Sequence, residues 1–243
     1  MLVLTPEIVR RIDLKDAADF VWFWSRFDCK FDPVVVDEET GEGLEEEIDY
    51  VKELNIGKSL TKENVKRLLR WKDAYEYTHI ILHGSDRGQE NDRVRRILDR
   101  LSILNKFRAG KINEEAFKTA TGRMVLTGHS MRVFLFHITR PHEYPLADQN
   151  ILRTFSCHTG TTVGGEVDFK RYWAVYKKYQ LYFRNIANAR DITLKKTPTR
   201  NYIECLTQIY SALRAFGKFL REYGEYDKAY FELWKHKIPP TNE

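Results

Sequence analysis

Apolar residues along this chain recur every three or four positions for most of its length, the spacing that turns one face of an α-helix toward a core. Between Asp13 and Phe27, the residues Ala17, Phe20, Val21, Trp24 and Phe27 share a face, and Asp13 stands where an N-cap is expected. Thr61-Lys62-Glu63-Asn64 opens a second helix with Val65, Leu68, Leu69 and Trp71 inward. A third spans residues 90–108, with Val94, Ile97, Leu98, Leu101 and Leu104 on one side and Arg93, Arg95, Arg96 and Arg100 on the other. Asn113-Glu114-Glu115 starts a fourth that ends near Gly122, and Ser130 to Thr139 makes a fifth, stopped by Pro141. Asp148 takes the N-cap position of a sixth helix carrying Ile151, Leu152 and Phe155. Two longer helices follow at 167–187 and 200–223, both rich in tyrosine and phenylalanine, and Gly160 to Gly165 reads as a loop between elements. The acidic segment 37–49, with Gly41 and Gly43, fits either a loop leading into a helix near 44–54 or a surface helix. Only Pro33–Val36 and Ile192–Leu194 read as strands, both short and isolated. The expected fold class is mostly α, with little or no sheet.

Composition changes this picture little. At 243 residues, with 42% hydrophobic and 31% charged, the chain suits a soluble globular protein with a substantial core. It contains no apolar run of the length that spans a bilayer, and its first residues lack the basic and apolar regions of a secretory signal. Cys29, Cys157 and Cys205 are widely separated, which points to a reducing cytoplasm and is too few for a four-cysteine iron–sulfur cluster.

Charge distribution is more informative than the formal net charge of +5. Residues 37–49 hold eight acids and no base, and the 35 acids less these eight leave 27 against 40 bases elsewhere. A basic body with a segregated acidic segment suits a polyanionic partner, and equally suits a well-solvated surface.

Residues 123–155 carry the chemistry. A helix ends, Gly128 turns the chain, and a second apolar helix begins at Ser130. A turn of this kind presents backbone N–H groups from the following helix N-terminus, which suit a phosphate without any charged side chain. Downstream runs Tyr144-Pro145-Leu146-Ala147-Asp148-Gln149-Asn150-Ile151-Leu152-Arg153. This stretch resembles the helix-hairpin-helix DNA glycosylase superfamily, in its aromatic-Pro-apolar-x-Asp-x-Asn/His-Val/Ile-x-Arg pattern. Gly128-His129-Ser130 is similar to the end of that family's hairpin, and Ser130 lies eighteen residues before Asp148, as in the adenine glycosylase and endonuclease III branches. The hairpin reads Leu126-Thr127-Gly128 where the family has Leu-Pro-Gly-x-Gly. The likeness covers about thirty residues.

The resemblance implies two helical lobes in a single unit. One holds the hairpin over roughly 61–158, the other holds 1–60 with 159–243, and the DNA site lies between them. It implies a monomer acting on double-stranded DNA, with no membrane and no required cofactor. The hairpin would hold a monovalent cation through backbone carbonyls near Thr127. Asp148 would be catalytic: breaking a base–sugar bond builds positive charge on C1′ and the ring oxygen, which a carboxylate stabilises while it orients or deprotonates water. The competing reading of Asp148 is a plain helix cap. Lyase branches carry a lysine where this chain has Ser130, so the likeness favours a monofunctional, water-using enzyme. Thr127, Gly128, His129, Ser130, Arg132, Gln149 and Arg153 are the expected DNA contacts. Base flipping needs an aromatic-lined pocket, for which Trp22, Trp24, Trp71 and Tyr75 are candidates.

His79, His83, His129, His137, His142 and His158 form no metal-binding pattern, and no metal is expected. Gly160-Thr-Thr-Val-Gly-Gly lacks the lysine of a phosphate-binding loop. Two other functions remain open on the sequence: a non-catalytic DNA-binding protein, and a glycosylase whose β-lyase lysine lies elsewhere. For a glycosylase the expected substrate is an oxidised, mismatched, alkylated or viral hypermodified base, which leaves both DNA repair and phage defence as settings.

Overall fold

Twelve α-helices and no β-strand occur among the described residues, so the protein is mostly helical as its periodicity predicts. The computed structural model describes residues 4–27, 48–73, 76–81, 84–163, 168–190, 200–224 and 228–238. Both strand candidates, most of the acidic segment, and Cys29, Tyr75 and His83 lie outside them. The only β pairing among the described residues is an isolated bridge between Ile80 and Glu90. No helix there is long and apolar enough to cross a membrane.

The chain divides into two compact units. The first comprises Met1–Cys29, Pro145–Lys196 and Asn201–Glu243; the second comprises Lys30–Tyr144 with Thr197–Arg200. This partition differs from the expected lobes: residues 30–60 join the hairpin unit, and the segment bearing Asp148 joins the other.

The first unit holds α1 (Pro6–Arg11), α2 (Ala17–Trp24), α9 (Gln149–Thr159), α10 (Phe169–Ala189), α11 (Arg200–Tyr223) and α12 (Lys228–Trp234). Helix α2 is capped by Asp16, whose Oδ1 accepts from the amides of Ala18 and Asp19, and not by Asp13. A short 3₁₀ turn, Ser25–Phe27, finishes it. The core is aromatic. Phe20, Trp24, Phe216 and Trp234 pack edge-on or tilted with centroids about 5 to 6 Å apart, and His158 is buried among them. Helices α9 and α11 touch backbone to backbone. Gly217 of α11 lies so close to Asn150 that a Cβ built on it would fall 1.9 Å from the Asn150 carbonyl oxygen. One turn further along α9, Thr154 Oγ1 donates to the Leu213 carbonyl at 2.5 Å.

The second unit holds α3 (Tyr50–Glu53), α4 (Lys62–Lys72), α5 (Asp92–Leu98), α6 (Leu101–Arg108), α7 (Glu114–Met124) and α8 (His129–Thr139). Thr61 and Asn64 close the expected capping box of α4. The single helix expected at 90–108 is broken between Leu98 and Leu101, where Arg100 leaves helical geometry at φ −109°, ψ 20°. Phe107 and Phe117 stack at 4.1 Å, and Phe136 packs edge-on against both. Arg108 donates to the carbonyls of Leu54 and Asn55, satisfying the last groups of α3, while burial pulls its pKa down.

Candidate active site

Asp148 stands at the start of α9 in extended backbone, and its Oδ1 accepts from the Ile151 amide at 2.8 Å. The cap is therefore real, and it fixes the orientation of the carboxylate. Its second oxygen accepts no hydrogen bond from the described residues, and the side chain is only half-buried. Asp148 thus combines a locked position with one oxygen left for another partner.

The approach to Asp148 is held from α10. Tyr176 donates its hydroxyl to the Pro145 carbonyl at 2.8 Å, and Tyr179 donates to the Leu146 carbonyl at 2.7 Å. Both rings are wholly buried. Burial drives the Tyr179 pKa far above its ordinary value, and neighbouring tyrosines followed by the Asp148 carboxylate add to the shift. Burial also raises the pKa of Tyr210 of α11, opposed by a hydrogen bond with the Leu146 backbone. An extended loop has no helical partners for its carbonyls, so buried hydroxyls supply them. The sequence marks these helices as tyrosine-rich without giving the hydroxyls a task. The period 172, 176, 179, 183 reads simply as core.

Around Asp148, Gln149 is exposed, and Arg153 is half-buried with Nη1 on Asn150 Oδ1 at 2.6 Å. Arg153 therefore helps hold the first turn of α9.

In the second unit, α7 and α8 pack together across the turn Val125–Gly128, as expected for a hairpin. Gly128 adopts φ +87°, the left-handed region that favours glycine, and α8 begins without a side-chain cap. The amides of Thr127, Gly128 and Ser130 have no acceptor among the described residues. Thr127 and Gly128 are exposed, while His129 and Ser130 are half-buried, so the turn offers N–H groups to solvent. Leu126 at its tip is 68% exposed.

Arg132, an expected DNA contact, is half-buried and braces the hairpin. Its Nη2 donates to the Lys118 carbonyl at 2.9 Å and its guanidinium covers Gly122, which ties α8 to α7. Burial lowers its pKa. His137, further along α8, is also structural. Its Nδ1 faces the Tyr144 carbonyl at 2.7 Å and so must carry the proton, leaving Nε2 to accept from the Tyr50 hydroxyl. Burial lowers its pKa to about 4.

The pocket candidates separate cleanly. Trp24 is 1% exposed inside the aromatic core of its unit, and Trp71 is 6% exposed, stacked on Tyr50 at 4.2 Å. Both are core residues, because their helical spacing was that of a buried face, and neither is open to a ligand. Trp22 is different: it is 57% exposed, with the Arg26 guanidinium 3.5 Å above its ring. Among the described residues no three His, Cys, Asp or Glu side chains gather as a metal site. Comparison with protein-family models, with curated proteins and with solved structures gives no match to this chain.

Proposed function

We propose that the chain is a monofunctional DNA glycosylase, hydrolysing the N-glycosidic bond of a damaged or modified base. The observation that carries this reading is the seat of Asp148: one oxygen held by the Ile151 amide, the other without a donor, on a loop clamped by buried hydroxyls. A carboxylate fixed in this way needs no reorganisation as positive charge develops on the sugar, a form of stabilisation worth about 3 kcal/mol. The C1′–nitrogen bond breaks with its electron pair leaving on the base. Water adds its oxygen to C1′, and Asp148 takes the water's proton or holds the charge while the departing base is protonated. Ser130 has no amine for a Schiff base, which favours water as the nucleophile.

The α7–α8 turn supports the DNA half of the reading. Amides without acceptors at a helix N-terminus suit a phosphate oxygen. Among the described aromatic candidates, Trp22 is exposed, with Arg26 over one ring face and the other face free to stack on a base.

The test is incubation with duplexes bearing oxidised, mismatched and alkylated bases, and with hypermodified phage DNA, followed by mass spectrometry of released bases. Free base with strand breaks only after hot alkali is the expected result. Binding without base loss points to the non-catalytic DNA-binding alternative, and a borohydride-trapped complex points to a lyase lysine.

A further inference from the structure

Helix α10 has two unlike faces. Its inner face carries buried aromatic residues, including the Tyr176 and Tyr179 hydroxyls that grip the approach to Asp148. Its outer face carries five exposed cations, Lys170, Arg171, Lys177, Lys178 and Arg184. The 21 residues of the helix contain no aspartate or glutamate. Asp168 at the N-cap lies 3.8 Å from Arg171, with both side chains more than half exposed, a pairing that offsets little of the charge.

The cations fall in two rows at seven-residue spacing, Lys170–Lys177–Arg184 and Arg171–Lys178. Seven residues rotate a helix through nearly two full turns, so each row runs almost parallel to the axis with members about 10.5 Å apart. From first to last the rows cover about 21 Å, the axial rise of about six base pairs. Because the inner face is anchored in the core, the rows form a rigid rail rather than a mobile tail.

We propose that this outer face of α10 is a second, sequence-independent contact for the phosphate backbone of duplex DNA. It is separate from the α7–α8 turn and from the chemistry of Asp148. The charge complementarity rests on the rows themselves; the identity of the polyanion as DNA rests on the proposed function. Lysine and arginine that neutralise phosphates release condensed counterions, so each contact steepens the dependence of affinity on salt.

The experiment compares wild type with the fivefold variant K170Q/R171Q/K177Q/K178Q/R184Q. Fluorescence anisotropy on an unmodified duplex is measured from low to physiological salt, and far-UV circular dichroism checks the fold. A control, K52Q/K58Q/K62Q/K106Q/K111Q, removes five exposed cations from the second unit. The expected result is a binding slope against log salt that becomes shallower by about 3 to 5 units for the α10 variant, and by far less for the control. An unchanged slope, or an equal fall in both variants, overturns the proposal. So does loss of binding to phosphatidylserine vesicles with the DNA slope preserved. Base release is scored separately. A slope change without base release from any DNA keeps this surface and removes the glycosylase reading; base release with an unchanged slope does the reverse.

Discussion

The Tyr179 hydroxyl donates to the Leu146 carbonyl at 2.7 Å, two residues before the aspartate that caps α9. Tyr176 makes the matching bond to Pro145, so one helix face fixes the path of the chain into Asp148. The order of cause runs from aromatic periodicity to a buried helix face, from that face to a held loop, and from the loop to an oriented carboxylate.

Tyr179→Phe keeps the ring but leaves a buried carbonyl without its donor. The variant is expected to lose about 1–3 kcal/mol of stability, read by urea denaturation. Its base release should slow by about tenfold to a hundredfold at unchanged DNA affinity, because the reacting geometry loosens. An unaltered single-turnover rate would show that the clamp does not serve Asp148.

Gly217→Ala tests the packing of α11 on the start of α9. The added Cβ meets the Asn150 carbonyl oxygen at 1.9 Å, and backbone on both sides must give way. Overpacking of this kind costs about 3 kcal/mol. A fall in the urea midpoint with loss of base release is expected, and wild-type stability would contradict the close approach.

Two buried histidines make stability depend on acid. Burial lowers His137 to about 4 and His158 to about 3, against 6.5 for an exposed imidazole. Between those values the unfolded chain binds protons that the folded chain refuses, so stability is complete above pH 6.5 and declines as pH falls. Each histidine contributes up to about 1.4 kcal/mol per pH unit until its folded pKa is reached. His158→Phe leaves the buried Tyr182 hydroxyl without its ring-nitrogen partner, so it should lower stability at every pH while flattening the profile between pH 6.5 and 4. Parallel profiles for variant and wild type would show that His158 is not the source.

Much of the helical framework is legible in the sequence, because local rules wrote it. Thr61 and Asp148 sit before apolar periodicity and cap the helices that follow. Thr5-Pro6-Glu7 carries an equally clear start for α1, a cap followed by proline in the first turn, yet the helix is too short to show periodicity. The break at Arg100 leaves no such trace: neither glycine nor proline marks it, and the apolar face continues across it. At the candidate site, Asp148 and the Gly128 turn could be read locally. The tyrosine clamp could not, since its hydroxyls reach carbonyls more than thirty residues away. The bracing role of Arg132 is hidden for the same reason: only the packed hairpin brings the Lys118 carbonyl to its guanidinium.

Asp148→Asn gives the most direct measurement. Asparagine caps a helix about as well as aspartate, so Oδ1 can still accept from the Ile151 amide while the negative charge is gone. With a duplex or phage DNA from which the wild type releases base, the variant is expected to keep its urea midpoint and DNA affinity. Its single-turnover base release should fall by at least about a hundredfold. Base release by Asp148→Asn at the wild-type rate would contradict the account at its centre.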